Sequence, residues 1–407
     1  MSKKIQVLVL SSSMLVIVFT LISGLGVHAS SNNGDSYKQM TVYSEVLHRI
    51  RTEYVEEPNI NSVTSGALHG LLESLDADSS YLSPAEYRAF KQTKADGKAG
   101  IGATISKRFG YAAVVSVIPG GPADKAGISA GDIIEFVEGQ STHEMSLASV
   151  KARLAGEPGS RVETSIIRAR KIEPQKTVIV REIVNPPAVQ EQSMADNVGY
   201  IKAATLSKGK AQDIAGKIKS LQRQGAKKLI LDLRNNSEGE EDEGVAVANL
   251  FLGKGVIATL QGQKFDKVSF EADPQKKITD LPVAILVNRG TAGAAELVAA
   301  ALLDNGRGDI VGDKTFGEGS VQKLIEVPDG SALILSVAKY YTPKGKIIQD
   351  TGITPNIPVA SNDELASLPD DEDDSNAPEE PQKTQPRDDD QLHRAIEILK
   401  VRAQKAS

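Results

Sequence analysis

The stretch that decides the fold is residues 287–305, VNRGTAGAAELVAAALLDN. The end of an apolar strand passes through a loop of small residues into a helix, and a strand–loop–helix junction of this kind commonly carries a catalytic nucleophile. Gly293 stands at the tip of the loop and has no side chain. The stretch therefore predicts a strand and a helix of a layered domain. It also raises the question of what function this loop has without a side chain at its tip.

Strands and helices alternate on both sides of this junction. The strand patterns VGYIKAA, KLILDL and PVAILVN are separated by helical patterns, and a hairpin follows in which VQKLIEV and ALILSVAKYY meet at Pro328-Asp329-Gly330. Strands separated by helices favour parallel pairing in a layered βαβ arrangement. We therefore predict a core domain of this type over residues 187–360.

Residues 97–186 have a different sequence pattern, in which short β-rich runs are separated by glycines. The pattern predicts a short helix at Ala123–Ala126 and a later helix near Leu147–Leu154. This pattern resembles a PDZ domain. In PDZ domains an extended peptide adds a strand to a sheet edge, and N–H groups of a glycine-bearing loop hold its terminal carboxylate. The resemblance implies that Gly100-Ile101-Gly102 is this loop, with protein C-termini or extended peptides as ligands. The alternative is that these glycines only close a tight turn.

The N-terminal region before this domain is predicted to be helical over residues 36–96. One helical face runs from Met40 to Tyr54, a second helix covers Val63–Leu75, and a third begins at Ser83, which can cap it. We interpret this unit as serving packing and oligomer contacts, either between identical copies or with an active relative.

The two ends of the chain carry further signals. Lys3 and Lys4 precede an apolar run that ends in Val27-His28-Ala29, so residues 1–29 predict a secretory signal and an extracytoplasmic (periplasmic or secreted) location. The run is also long enough to span a bilayer, and an uncleaved membrane anchor is the alternative. Residues 361–390, rich in Asp, Glu and Pro, are predicted to be disordered, and residues 391–407 to form a closing helix.

Composition excludes several classes of function. The chain has 407 residues, which is enough for two or three domains. Its net charge of −6 gives no sign of the basic surface that nucleic-acid binding requires. It has no cysteine, so disulfides and thiolate chemistry are excluded. None of the histidines has metal-ligand spacing, and we predict neither a cofactor nor a metal site.

Several blocks in the same order, among them LILDLRNN, ILVNRGTAGAAELVAAALLDNGR and IVGDKTFGEGSVQ, resemble the carboxyl-terminal processing (tail-specific) protease family. The resemblance implies an α+β and α/β architecture: a helical N-terminal unit, an inserted PDZ domain and a layered, ClpP/crotonase-like protease core. Members of this family cleave with a serine that is activated by a lysine, which a glutamine orients.

This sequence departs from the family's catalytic motifs. The serine of the pattern G-T-A-S-A-x-E falls on Gly293, and the lysine of F-G-K-G-S-V-Q falls on Glu318; Gln322 alone matches. The oxyanion-binding segment R-N-N-P-G-G reads Ser237-Glu238-Gly239 after the two asparagines, and five acids crowd residues 238–243. The departures predict a non-catalytic, peptide-binding pseudoprotease.

The alternative from another class is an active endopeptidase with a substitute nucleophile. Ser320 with Lys323, or Thr291 with Lys314, would be the substitute pair, although neither pair matches the family's catalytic positions. The acids at 238–243 with Glu318 offer oxygen ligands to a cation, but their spacing matches no known loop. We read these acids instead as a solvated helix start, favourable to the helix dipole.

Overall fold

The computed structural model describes residues 33–93, 99–168, 171–360 and 389–405. The predicted signal or anchor, residues 1–29, and nearly all of the predicted linker, residues 361–390, lie outside the described residues. The described residues fall into two compact units, which divide between residues 67 and 68. Within the described parts of the chain, no helix combines the length and apolar character that crossing a bilayer requires.

The α-helices of the described residues, numbered in chain order, are α1 Asn33–Glu53, α2 Ile60–Glu73, α3 Pro84–Thr93, α4 Pro122–Lys125, α5 Leu147–Leu154, α6 Lys210–Arg223, α7 Glu241–Phe251, α8 Ala294–Asp304 and α9 Asp390–Lys405. The strands are β1 Ser80–Leu82, β2 Ala103–Arg108, β3 Tyr111–Val117, β4 Ile133–Val137, β5 Gln140–Ser141, β6 Arg161–Arg168, β7 Lys171–Val180, β8 Gln190–Met194, β9 Val198–Lys202, β10 Lys228–Asp232, β11 Val256–Gln261, β12 Val268–Glu271, β13 Val283–Val287, β14 Gly308–Gly312, β15 Ser320–Glu326, β16 Ala332–Tyr341 and β17 Ile357–Pro358.

A six-stranded sheet with the order β17-β14-β13-β10-β9-β8 forms the centre of the larger unit. All its pairings are parallel except that of β8 with β9. Because side chains alternate along a strand, Leu229 and Leu231 pack on one face and Ile230 on the other. Both faces are apolar, as a sheet covered on both sides requires. The predicted layered core with parallel strands is confirmed.

Helices cover both faces of this sheet. Helices α6, α7 and α8 belong to the large cluster on one side, and Ala395 and Leu399 of α9 pack on the other. Helix α9 begins at Asp390, so the prediction of disorder through residue 390 is wrong at its end. The carboxylate of Asp389 explains the early start, because it accepts the N–H of Leu392 (3.0 Å) and pairs with Arg234 (2.8 Å).

An antiparallel sheet of β1, β16, β15, β11 and β12 lies beside this core. It contains the predicted hairpin of β15 and β16. Strand β1 belongs to residues 36–96, which the sequence predicts to be helical only. That prediction is wrong at Ser80–Leu82, because the three residues are buried and pair with β16. Ser83 caps α3 as predicted, and Glu86 accepts its N–H at 2.9 Å.

A third, antiparallel sheet has the order β2-β3-β4-β6-β7, and β5 pairs with β4. Helix α5 spans the predicted Leu147–Leu154, and the short helix lies at Pro122–Lys125, one residue earlier than predicted. Ile105, Ile134 and Val150 belong to its apolar core. Strand β2 is an edge strand, because its one partner among the described strands is β3.

Candidate active site

Gly293 immediately precedes α8 and adopts φ +58°, ψ −122°. This backbone region is costly for residues with a side chain. A Cβ added at Gly293 would meet nothing within 4 Å. Gly293 therefore faces open space. A side chain at this position would be opposed by backbone strain and not by steric crowding.

A single buried carboxylate connects this loop to the loop that carries Glu318. Glu296 is fully buried, and it accepts the backbone N–H groups of Gly293 (3.1 Å), Gly317 (2.9 Å) and Glu318 (2.8 Å). The hydroxyl of Thr315 also donates to it. Gly293 and Glu318 are therefore brought to the same carboxyl group. Burial raises the pKa of Glu296 to about 8.

Glu296 is a site residue that the sequence motifs did not single out. A signal was available, since Glu296 is the third residue of a helix whose cap is Gly293, and glutamate at this position reaches back to the cap N–H. Its further bonds to Gly317 and Glu318 come from a segment more than twenty residues away. Those bonds could not be read from local pattern.

The Glu318 side chain faces a cavity of about 250 Å³. Burial raises the pKa of this carboxyl group to about 7; the positive charge of Lys151 acts in the opposite direction, and the charges of Asp78 and Glu241 add to the rise. The cavity is lined by Ala77, Asp78, Ser106, Lys107, Arg108, Phe316, Gly317, Glu318, Gln349 and Asp350.

Gln322 bonds to a serine and not to Glu318. Its Nε2 donates to Ser320 Oγ at 2.7 Å, and Ser320 Oγ donates to Asp78 Oδ2 at 3.1 Å. Asp78 also accepts a hydrogen bond from Gln349 at 3.3 Å. Burial raises the pKa of Asp78, and the bond from Ser320 opposes the rise. The structure thus joins Gln322 to this chain of polar groups through Ser320, which lies two residues beyond Glu318.

Residues 237–239 lie next to the Gly293 loop. The N–H of Ala292 donates to the carbonyl of Asn236 at 2.9 Å. Ala292 directly precedes Gly293 and Asn236 directly precedes Ser237, so this bond holds the two segments together. The Ser237 hydroxyl bonds to that of Ser116 on β3. Among the described acceptors, none takes the N–H of Ser237, Glu238 or Gly239.

Side chains in this segment set its shape and charge. A Cβ at Gly239 would lie 2.7 Å from the Leu206 carbonyl oxygen, so this position requires glycine. Glu238 as a whole is exposed, but partial burial of its carboxyl group raises the pKa of that group. Three further acids occupy the first turn of α7, Glu241, Asp242 and Glu243.

Comparison with known proteins places this geometry in a family. Residues 197–359 match the model of peptidase family S41, and residues 114–168 match a PDZ domain. The chain is 33% identical over 355 residues to the carboxy-terminal-processing protease of Bartonella bacilliformis, covering 86% of this chain and 80% of that one. It belongs to the carboxyl-terminal processing protease family.

Two further similarities support this family membership. The carboxy-terminal processing protease CtpA of Bacillus subtilis is 32% identical over 360 residues, which cover 88% of this chain and 76% of that one. The solved structure of the photosystem II D1 C-terminal processing protease matches with a TM-score of 0.66 at 28% identity, covering 79% of this chain and 92% of that one. The family and the fold class predicted from the motifs are thus confirmed.

The substitute pairs considered for this carboxyl-terminal processing family member have structural partners instead. The buried hydroxyl of Thr291 donates to the Leu233 carbonyl at 2.8 Å and accepts the Asn288 N–H at 3.0 Å, while Lys314 is exposed. Ser320 bonds to Asp78, and no described hydrogen bond joins it to Lys323. Where the structure describes side chains, no group of three or more His, Asp or Glu residues is arranged to hold a metal ion.

The loop at residues 100–102 differs in one respect from the PDZ-based prediction. The N–H of Gly100 donates to the Glu182 carbonyl at 3.0 Å, and is therefore not available to a carboxylate. No described acceptor takes the N–H of Ile101 or Gly102. Gly102 has φ +69°, and Ile101 is buried in the core of this family member's PDZ domain.

Proposed function

We propose that this member of the family binds protein C-termini or extended peptides through its PDZ domain and does not cleave them. The observation that carries the proposal is the pair of residues at the Glu296 carboxylate: Gly293, without an attacking oxygen, and Glu318, without an amine. Loss of the nucleophile alone costs about a million-fold in a serine protease. That factor corresponds to about 8 kcal/mol of activation free energy.

Electrostatics at the site support the same conclusion. An oxyanion is stabilised by donors and positive charge placed where it develops. Here the charge of Glu241 adds to the rise in the pKa of Glu318, and Glu238 belongs to the segment that would bind the oxyanion. Negative charge at both places raises the barrier that the family's site lowers.

The alternative, an active endopeptidase with a substitute nucleophile, is separated by one set of assays. The purified chain is incubated with an unstructured protein and, separately, with a fluorophosphonate probe. We expect no cleavage and no labelling for the wild type or for Gly293→Ser, because Glu318 does not supply an amine. The double variant Gly293→Ser, Glu318→Lys restores both groups, and cleavage by it while the wild type is inert would mean that the scaffold still forms the site.

The outcomes are distinct. A covalent adduct on the wild-type chain, lost when Ser320 or Thr291 is replaced, would establish the alternative. Cleavage by Gly293→Ser alone would show that the base lies elsewhere.

Peptide binding is tested with matched ligands. A peptide with a free C-terminal carboxylate and the same peptide with an amidated C-terminus differ only in the charged group that the loop would hold. We expect the free carboxylate to bind more tightly, because the N–H groups of Ile101 and Gly102 have no described acceptor. Equal affinities would remove the loop from the proposal and leave the sheet edge at β2.

We further propose an extracytoplasmic location, periplasmic or secreted, with residues 1–29 as a cleaved signal or a membrane tether, and assembly with a second copy or an active relative. The sequence of residues 1–29 supports the first part. The exposed apolar side chains of α1, such as Met40 and Val46, support the second. N-terminal sequencing and chemical cross-linking of the chain recovered from cells test the two parts.

A further inference from the structure

The cavity at Glu318 contains an acid that has no hydrogen-bond or ion-pair partner for its carboxylate among the described residues. The Glu318 carboxylate accepts no hydrogen bond and forms no ion pair with a described residue. Glu318 is partly exposed and lines the cavity. Asp78 and Asp350 line the same cavity. Two basic residues, Lys107 and Arg108, line it as well, but neither forms an ion pair with Glu318 among the described residues. A carboxylate without a counter-charge at contact distance favours a cationic group placed against it.

Each basic residue in or near the cavity has a partner other than Glu318 or makes no ion pair with it among the described residues. Lys107 pairs with Glu73 at 3.0 Å, and its side chain is only 7% exposed. The Arg108 guanidinium lies over the Phe316 ring at 4.7 Å. Lys151 on α5 is exposed and acts on Glu318 through its charge, but no ion pair within the described residues joins them. The charge of Glu318 is therefore not neutralised at contact distance.

We propose that this cavity binds the basic side chain, lysine or arginine, of a polypeptide held by the protein. The ammonium or guanidinium group would lie against Glu318 and Asp78, because charge-assisted bonds to carboxylates are the strong ones. The methylene stem would lie along Phe316 and Ala77, since long basic side chains bury their stems on apolar surface. The inference rests on the proposed non-catalytic binding, which leaves the cavity free for a ligand group.

Size and chemistry both fit this occupant. About 250 Å³ compares with about 30 Å³ for one water molecule, so a side chain of several heavy atoms can be admitted. A metal ion fits less well, because the described residues offer no group of three or more ligands arranged to hold one. A basic side chain needs only two carboxylates and an apolar wall, and the cavity has both.

The test uses two small probes and the full chain. Nα-acetyl-lysine N-methylamide carries the ammonium group, and Nα-acetyl-norleucine N-methylamide has nearly the same shape without the charge. Titration calorimetry or ligand-observed NMR gives their affinities at physiological salt. We expect the lysine compound to bind at least tenfold more tightly than the norleucine compound.

Variants locate the binding. Glu318→Gln is expected to weaken binding of the lysine compound at least tenfold, and Asp78→Asn provides a second, independent loss. Glu163→Gln, at an exposed acid on β6, is the matched control and should leave the affinity unchanged. Circular dichroism of each variant checks that it is folded.

Three results would overturn the inference: equal affinities of the two probes, an affinity that survives Glu318→Gln, or binding that occurs only after Lys151→Met, which would show that Lys151 itself fills the cavity. Failure of the proposed function is a separate observation, namely cleavage of protein by the wild-type chain, so the two failures can be told apart.

Discussion

Replacing Glu318 by glutamine is expected to stabilise the protein at high pH and to have little effect at low pH. Burial raises the pKa of this carboxyl group from 4.5 to about 7, so the fold favours the protonated acid. This contribution to stability is complete below pH 4.5 and is lost as the pH rises through about 7. Glutamine keeps the shape of the side chain but cannot ionise. The wild type should therefore lose stability relative to the variant between pH 5 and pH 8.

The magnitude follows from the shift in the pKa of Glu318. One pKa unit corresponds to about 1.4 kcal/mol, so the full shift gives an upper limit of about 3 kcal/mol. Solvent screening of a residue that keeps some exposure lowers the expected gain to about 1–3 kcal/mol. For a domain of this size, that gain moves the thermal midpoint by roughly 2–12 °C.

The assay is the thermal midpoint of wild type, Glu318→Gln and the control Glu163→Gln at pH 5 and pH 8. Burial raises the pKa of Glu296 to about 8, and the charge of Glu318 adds to that rise. The resulting loss of stability is the same in the wild type and Glu163→Gln. It is smaller in Glu318→Gln, so it adds to the expected difference in the same direction. A shift for Glu318→Gln that is the same at both pH values would refute the argument from burial. A pH-dependent shift of similar size in the exposed control would refute it equally.

Two further predictions concern the backbone at Gly293 and the attachment of α9. Gly293→Ala should destabilise the protein by about 1–3 kcal/mol, because φ is +58° there. Gly216→Ala, at an exposed site in α6 with free space, should instead stabilise it by about 0.5–1 kcal/mol, and urea unfolding that shows the same sign for both would contradict this. Arg234→Met should cost about 3–5 kcal/mol, since it removes the partner of the fully buried Asp232 (2.6 Å). The same change also removes the Asp389 pair (2.8 Å), so hydrogen exchange in α9 should accelerate, and unchanged protection there would show that apolar packing alone holds the helix.

Local pattern was enough to predict much of the architecture. The alternation of apolar strands and helices predicted β9, β10 and β13 and the hairpin of β15 and β16, because side-chain periodicity reports which faces are buried. The cap at Ser83 followed from residue chemistry within one turn. That position 293 has no hydroxyl and position 318 no amine was likewise decided by the sequence, since a missing functional group is missing in any fold.

Contacts between distant segments were decided by the tertiary structure alone. Strand β1 is too short to show a period, and it exists because β16 pairs with it. Glu182 takes the N–H of Gly100, and Glu296 binds residues 317 and 318; neither contact has a local signal. The cavity draws its wall from residues 77–78, 106–108, 316–318 and 349–350. The raised pKa of Glu318 depends on the burial that those segments create together, and burial is a property of packing that no stretch of the chain contains by itself.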